Sequence, residues 1–329
     1  MIISRTPFRI SFFGGGSDYP DYYLKYGGKV LGTTINKYCY LNIRKLPPFF
    51  DFKYRVVYSK LESVKNINEI IHPSVKHTLK YLKINYGVSI NYDGDIPARS
   101  GLGTSSAFTV GLLNGLHALE GRMKTKMELA KEAIYIEQKL IHENVGSQDQ
   151  VFAAFGGLNK IEFLENGEII VTPIILSQDK LKKFENSIML FYSGISRVAS
   201  NIAKDQIKNL EKNKDQIDTM KSLVDEAYYI LTKKNNLNEF GELLNYTWEL
   251  KKSLSKKITN GIINEMYEKA KKSGAIGGKL LGAGGGGFMM FFVPEKYHEK
   301  VRNALKNYLY VPIKFEFCGS KIIFADLTS

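Results

Sequence analysis

Residues 95–107, Asp95-Ile96-Pro97-Ala98-Arg99-Ser100-Gly101-Leu102-Gly103-Thr104-Ser105-Ser106-Ala107, constrain this chain more than any other stretch. Before them, Val88-Ser89-Ile90-Asn91-Tyr92 alternates apolar and polar like a strand. Pro97, Gly101 and Gly103 then forbid regular structure until Thr104 or Ser105 caps a helix that runs to Leu119. A strand emptying through small residues into a helix N-terminus makes an anion cradle. The first turn has unpartnered N–H groups and a partial positive charge, and glycines let a phosphate approach the backbone. The hydroxyls of Thr104, Ser105 and Ser106 add donors or a metal ligand. By itself the stretch serves equally well as a turn before an ordinary capped helix. It is not a Walker loop, and Gly278-Lys279 is followed by Leu280 rather than Ser or Thr. Nor is it a dinucleotide fingerprint, since Ser106 stands where a third Gly is needed and Glu120 falls too early for the ribose acid.

The rest of the composition narrows the partners. At 329 residues two domains are expected, 1–180 and 181–329, the polar stretch Ser177 to Asn186 forming the passage between them. With no apolar run of membrane-spanning length and no apolar leader after Met1, the expectation is a cytoplasmic protein without membrane partners. Cys39 and Cys318 lack the pairing of a metal site or disulfide framework and read as core thiols. A net charge of +13 favours anionic ligands. The lysines crowd at 180–183, 204–214, 251–257 and 269–272 among acids, which fits solvated helix faces better than nucleic-acid binding.

Periodicity places strands at 2–13, 29–34, 37–44, 54–59, 88–92, 158–163, 168–173, 187–192, 288–293, 311–317 and 321–325. Helices are expected at 73–86, 105–119, 126–143, 197–210, 216–233, 237–252, 260–273 and 294–308. Helices packed on antiparallel sheets make the fold α+β.

Three further stretches could do chemistry. Gly282-Ala283-Gly284-Gly285-Gly286-Gly287 has more glycine than a hairpin needs, which suggests backbone pressed close to a ligand. Gly14-Gly15-Gly16-Ser17-Asp18 has the same character, with a carboxylate placed for hydroxyls. Between Glu137 and Asp149 lies a helix end marked by Gly146. A phosphate cradle, Mg²⁺ held by a hydroxyl and a carboxylate, and a group orienting the acceptor hydroxyl are enough for direct phosphoryl transfer. The histidines (His72, His77, His117, His142, His298) show no metal or triad spacing.

Taken in order, Arg9 to Tyr19, Pro97 to Ala107 and Lys279 to Gly287 resemble the three motifs of the GHMP kinases, the family of galactokinase, homoserine kinase and mevalonate kinase. The resemblance implies a two-domain α+β fold, a ribosomal-S5-domain-2-like N-terminal domain and a ferredoxin-like C-terminal domain, with the active site between them. It implies that Arg99, Ser100, Gly101, Leu102, Gly103, Thr104, Ser105 and Ser106 wrap the phosphates of ATP, and that Ser106 with Glu137 binds Mg²⁺. The loop is one residue longer than the common Gly-Leu-Gly-Ser-Ser-Ala form, so Ser105 stays open as the ligand. By the same resemblance Asp149, in Gly146-Ser147-Gln148-Asp149-Gln150, is the catalytic carboxylate and Arg9 its partner at the transferring phosphoryl group. Asp18, with Gly15, Gly16 and Ser17, grips sugar hydroxyls, and Gly284, Gly285 and Gly286 lie against the substrate.

Arg9-Ile10-Ser11 before Gly-Gly-Gly-Ser-Asp, together with Gly156-Gly157-Leu158-Asn159 after the Asp149 segment, most resembles the heptose 7-phosphate kinases. These phosphorylate O1 of D-glycero-D-manno-heptose 7-phosphate for surface polysaccharide. Such a substrate calls for a second cationic cluster, for which Arg99, Arg197, Lys25 and Lys29 are candidates. The partners implied are ATP and a small sugar phosphate, with a monomer or homodimer. A fucose or galactose kinase on the same machinery is the nearest alternative. A catalytically silent binding protein of this fold is disfavoured by the presence of Ser106, Glu137 and Asp149 together.

Overall fold

A computed structural model describes residues 1–195 and 199–326. Strand β1 (Ile2–Phe13) is buried along nearly its whole length. It leads through the glycines to helix α1 (Pro20–Tyr26), whose proline at the first turn has no N–H to lose. Strand β2 (Gly28–Lys45) is one long strand where two were expected. The apparent break at Ile35-Asn36 falls at a bulge, with Pro7 opposite Tyr38 and Phe8 opposite Ile35. A proline cannot donate to the ladder, so pairing shifts where it sits.

The length of β2 lets it organise the sheet. Strands β3 (Tyr54–Val57) and β4 (Leu61–Val64), helix α2 (Pro73–Tyr81) and strand β5 (Val88–Gly94) follow, and β5 pairs with the far half of β2. Helices α3 (Thr104–Leu119), α4 (Lys126–Tyr135) and α5 (Gln148–Phe155) then lead to β6 (Leu158–Phe163) and β7 (Ile169–Pro173). Strand β6 pairs with the near half of β2. Helix α3 buries Ala107, Val110, Leu112, Leu113 and Leu116 completely, as a helix under a sheet must.

The polar stretch 177–186 is not a plain passage. Ser177 caps helix α6 (Gln178–Asn186), and Phe184, its buried residue, anchors it in the core. Strand β8 (Ile188–Tyr192), helices α7 (Ala199–Lys208), α8 (Lys214–Lys233), α9 (Asn238–Ser253) and α10 (Gly261–Lys272), strands β9 (Gly277–Leu280) and β10 (Phe288–Phe292), helix α11 (His298–Ala304) and strand β11 (Leu309–Val311) build the second sheet. Its order, β11-β8-β10-β9 with all neighbours antiparallel, is that of a ferredoxin-like split βαβ. The single strand expected at 311–317 is divided. After β11 the chain crosses to the first sheet, where β12 (Phe315–Glu316) pairs with β2 and β13 (Lys321–Ala325) pairs with β1. Pro312 follows β11 directly and cannot extend that ladder.

Five rings fasten the two sheets. Phe240 of α9 packs edge-on against Phe12 and Phe13 of β1, with centroids 5.4 and 5.0 Å away, and against Phe184 at 4.8 Å. Phe315 closes the cluster against Phe12 and Phe184. Phe240 is wholly buried, so Phe240→Ala should lower stability by about 3–5 kcal/mol. Urea denaturation measures this, and a loss under about 1 kcal/mol would mean that the cluster does not bind the halves together. Among the described residues no helix is long and apolar enough to cross a membrane.

Candidate active site

A cleft of about 500 Å³ opens where the end of β1, the start of α3, the 142–149 segment and the glycine-rich turn after β9 converge. The helix cap differs from expectation. Gly103, at φ 72°, is the N-cap of α3, and the Thr104 hydroxyl instead accepts from the Arg99 N–H at 3.2 Å. A side chain at Gly103 would press on Arg9 Cγ at 3.1 Å and Asp149 Oδ2 at 3.3 Å. The missing Cβ therefore lets the loop lie directly on the Arg9–Asp149 pair.

That pair is a fork. Arg9 Nε donates to Asp149 Oδ1 and Nη2 to Asp149 Oδ2, each at 2.8 Å, while Nη1 donates to the Gly101 carbonyl at 2.7 Å. The Arg9 N–H also donates to the Leu102 carbonyl at 3.0 Å, which ties β1 to the loop. One guanidinium thus fixes both the carboxylate and the phosphate-loop backbone.

Glu137 stands behind the first turn of α3. The helix expected at 126–143 runs as α-helix only to Tyr135, then widens into a π turn over Ile136–Leu140, and ends at His142 with φ 60°. The extra residue in the turn re-aims side chains, a device common at functional sites. Here it carries Glu137 inward, fully buried, where Oε2 accepts from Ser106 Oγ at 2.8 Å and from the Gln150 amide. Burial pushes the Glu137 carboxyl up to about 7. Its Oε1 has no hydrogen-bond partner among the described residues. Ser105 is exposed on the cleft wall and Ser106 is the serine brought to Glu137.

Asp18 lies in the same cleft beside the 147–149 segment, 2% exposed, accepting from the Gly16 N–H at 3.0 Å and the Gln148 N–H at 3.4 Å. Burial, then the charge of Asp149, raises its carboxyl above the ordinary range. Gly15 and Gly16 line the cleft beside it. Ser17 does not reach it, since its hydroxyl lies between the Gly14 and Lys29 carbonyls, which share its one proton, and accepts from the Lys29 N–H, holding the turn instead.

The glycines of the third motif press mainly on the chain's own backbone. A Cβ on Gly282 would fall 2.6 Å from Gly101 Cα, so this turn braces the phosphate loop. Gly284 packs on Ile258, Gly285 donates to the Ile258 carbonyl, and Gly286 packs on Ile195, while Gly282 and Ala283 reach the cleft. Leu102 and Ser100 are buried beneath the loop. Arg99 is exposed on the cleft wall. Of the other cationic candidates, Lys25 pairs with Glu211 and Lys29 with Asp225, both away from the cleft, and Arg197 lies outside the described residues.

One lysine corrects the surface reading, and a second is buried beside it. Lys251, expected on a solvated face, is buried and donates to the carbonyls of Leu280 at 2.8 Å and Gly282 at 2.6 Å. Lys279, also buried, donates to the Phe12 carbonyl at 2.8 Å. Burial, aided by Arg9, pulls Lys279 down to about 7. Ser11 and Gln148 are two more cleft residues that the sequence reading passed over. For Ser11 a signal existed: it lies two positions from Arg9 in a buried strand, hence on the same face.

Residues 69–157 match the model of the GHMP kinases N-terminal domain, and residues 228–311 that of the GHMP kinases C-terminal domain. The chain belongs to the GHMP kinase family and is an ATP-dependent phosphotransferase. It is 30% identical to the D-glycero-alpha-D-manno-heptose 7-phosphate kinase of Campylobacter jejuni, over 94% of this chain and 95% of that one. The crystal structure of a D-glycero-D-manno-heptose 1-phosphate kinase from Bacteroides thetaiotaomicron superposes with a TM-score of 0.81 at 26% identity, covering 99% of this chain and all of that one. The fold is also that of Lactococcus lactis galactokinase, with a TM-score of 0.71 at 18% identity over 97% and 94% of the two chains.

Proposed function

We propose that this kinase transfers the γ-phosphoryl group of ATP to the anomeric O1 of D-glycero-D-manno-heptose 7-phosphate, for nucleotide-activated heptose and surface polysaccharide. The observation that carries the reading is the Arg9–Asp149 fork bonded to the phosphate loop, with Asp18 in the same cleft beside the 147–149 segment. Residues 99–106 cradle the triphosphate through the free N–H groups of the first turn of α3. Arg9 faces the charge that develops on the transferring group, Asp149 orients the acceptor hydroxyl, and Asp18 with Gly15 and Gly16 holds the sugar.

The residues at the back of the loop fit Mg²⁺. Ser106 Oγ and Glu137 are hard oxygen donors, and the buried Oε1 of Glu137 has no other partner among the described residues. Among those residues no cluster of three His, Cys, Asp or Glu could hold a metal, which suits a cation shared with nucleotide phosphates. When bound, the ion supplies charge neutralisation at those phosphates.

Of the described candidates for the sugar's own phosphate, Arg99 is the one on the cleft wall that forms no ion pair with a described residue. The two heptose kinase relatives carry names that differ in the phosphate the sugar bears, and a 1-phosphate has no free anomeric hydroxyl. A panel measured by ADP release therefore includes heptose 7-phosphate, heptose 1-phosphate, L-fucose and D-galactose, with product regiochemistry read by phosphorus NMR. Heptose 7-phosphate should be turned over best, giving an anomeric phosphate. Better turnover of an unphosphorylated sugar would replace this assignment with the fucose or galactose one. We place the reaction in the cytoplasm, on a monomer or homodimer, without nucleic-acid or membrane partners.

A further inference from the structure

Beside the Arg9–Asp149 fork the cleft holds polar atoms with nothing to bond. Ser11 is 6% exposed and Gln148 8%, and neither Ser11 Oγ nor Gln148 Oε1 has a hydrogen-bond partner among the described residues. Both residues line the cleft. A buried polar atom left unpaired is costly, so two at one wall imply a ligand that supplies the bonds. Lys279 adds to them, because its ammonium spends one N–H on the Phe12 carbonyl and has further donors.

Gly15 defines the space between Ser11 and Gln148. An added Cβ there would stand 3.8 Å from Gln148 Nε2 and 4.0 Å from Ser11 Oγ, with nothing nearer. The protein itself therefore tolerates a methyl group at Gly15, whose backbone is not in the left-handed region. Only a bound molecule would meet it.

The charges indicate what the molecule is. Arg9 is matched by Asp149, and the charge of Asp18 acts on Lys279. Lys251 directs two of its N–H groups to carbonyls. Little positive charge is left over for a phosphate, while Gln148 Oε1 needs a donor and Lys279 an acceptor. A hydroxyl is both.

We propose that Ser11 and Gln148, around the open space over Gly15, with Lys279 in the same cleft, are specificity-determining residues that read the neutral hydroxyl on the carbon next to the acceptor hydroxyl. The assignment rests on the sugar-kinase reading above but not on which sugar is the substrate. It also leaves the sugar's own phosphate to the Arg99 side of the cleft.

The test uses whichever of heptose 7-phosphate, L-fucose or D-galactose is turned over, together with its 2-deoxy counterpart. Gly15→Ala should keep its melting temperature and its KM for ATP while its KM for the sugar rises about tenfold. Ser11→Ala should lose about tenfold in kcat/KM for the sugar and much less for the 2-deoxy compound, so that discrimination between them falls. An unchanged sugar KM in folded Gly15→Ala would overturn the proposal, as would equal losses on both compounds in Ser11→Ala. Rejection of heptose 7-phosphate in favour of L-fucose or D-galactose would overturn the function assigned above and leave this comparison to be made on the accepted sugar.

Discussion

Asp149→Asn should lower kcat by about three orders of magnitude, within the usual range for a positioned acid or base, while the affinity for ATP changes by less than about threefold. The carboxylate takes two bonds from Arg9, through Nε and Nη2. An amide of the same shape can accept only on its oxygen side, and its NH₂ would face a guanidinium N–H. The fork opens, and the acceptor hydroxyl loses the group that aims it at phosphorus. Arg9, 5% exposed, then becomes a buried charge without its counter-ion, which adds a stability loss visible as a lower melting temperature. ATP binding is spared because Arg9 Nη1 still holds the Gly101 carbonyl and the first turn of α3 is untouched. Steady-state turnover and equilibrium titration with ATP separate the two effects. Turnover within tenfold of the parent protein would remove Asp149 from the mechanism.

What could be read from the sequence divides by range. Strand-loop-helix at 88–119 was legible because its signals are local: alternation, Pro97, glycines and then an apolar helical period. The family motifs added the grouping of Arg9, Asp18, Ser106, Glu137 and Asp149, which the structure gathers around one cleft. Three features were hidden because they depend on distant partners. The π turn at Ile136–Leu140 leaves the apolar pattern of its helix almost unchanged, yet it sets where Glu137 points. Lys251 sits in a lysine run that looks solvated, and only the carbonyls of Leu280 and Gly282 explain its burial. Residues 311–317 and 321–325 read as plain strands, but which sheet each joins depends on Pro312 ending β11 and on pairing with β2 and β1. Glycine counts were the least specific signal. Five glycines after Leu281 suggested a ligand, whereas most of them accommodate Gly101, Ser100, Ile258 and Ile195.

Glu137→Gln is expected to separate stability from activity. Glu137 is wholly buried, and burial works against its charge, so the folded protein holds a carboxylate that its own environment disfavours. Glutamine keeps the shape. Its carbonyl oxygen can accept from Ser106 and Gln150 as Oε2 does now, and its NH₂ takes the place of an oxygen that has no partner among the described residues. A neutral group is cheaper to bury than an ionised one, so in Mg²⁺-free buffer the variant should melt at the parent temperature or a few degrees above it. Activity should move the other way. With the charge gone, the Mg²⁺ concentration for half-maximal rate should rise at least about tenfold, and kcat at saturating Mg²⁺ should fall about a hundredfold. Calorimetry without metal and a Mg²⁺ titration of rate measure the two halves independently. A Glu137→Gln protein that melts well below the parent would mean that the carboxylate serves the fold. One with an unchanged Mg²⁺ requirement would mean that the cation is held elsewhere. The combination of equal or greater stability with a weakened metal response is what a residue kept for chemistry, against the preference of its surroundings, should show.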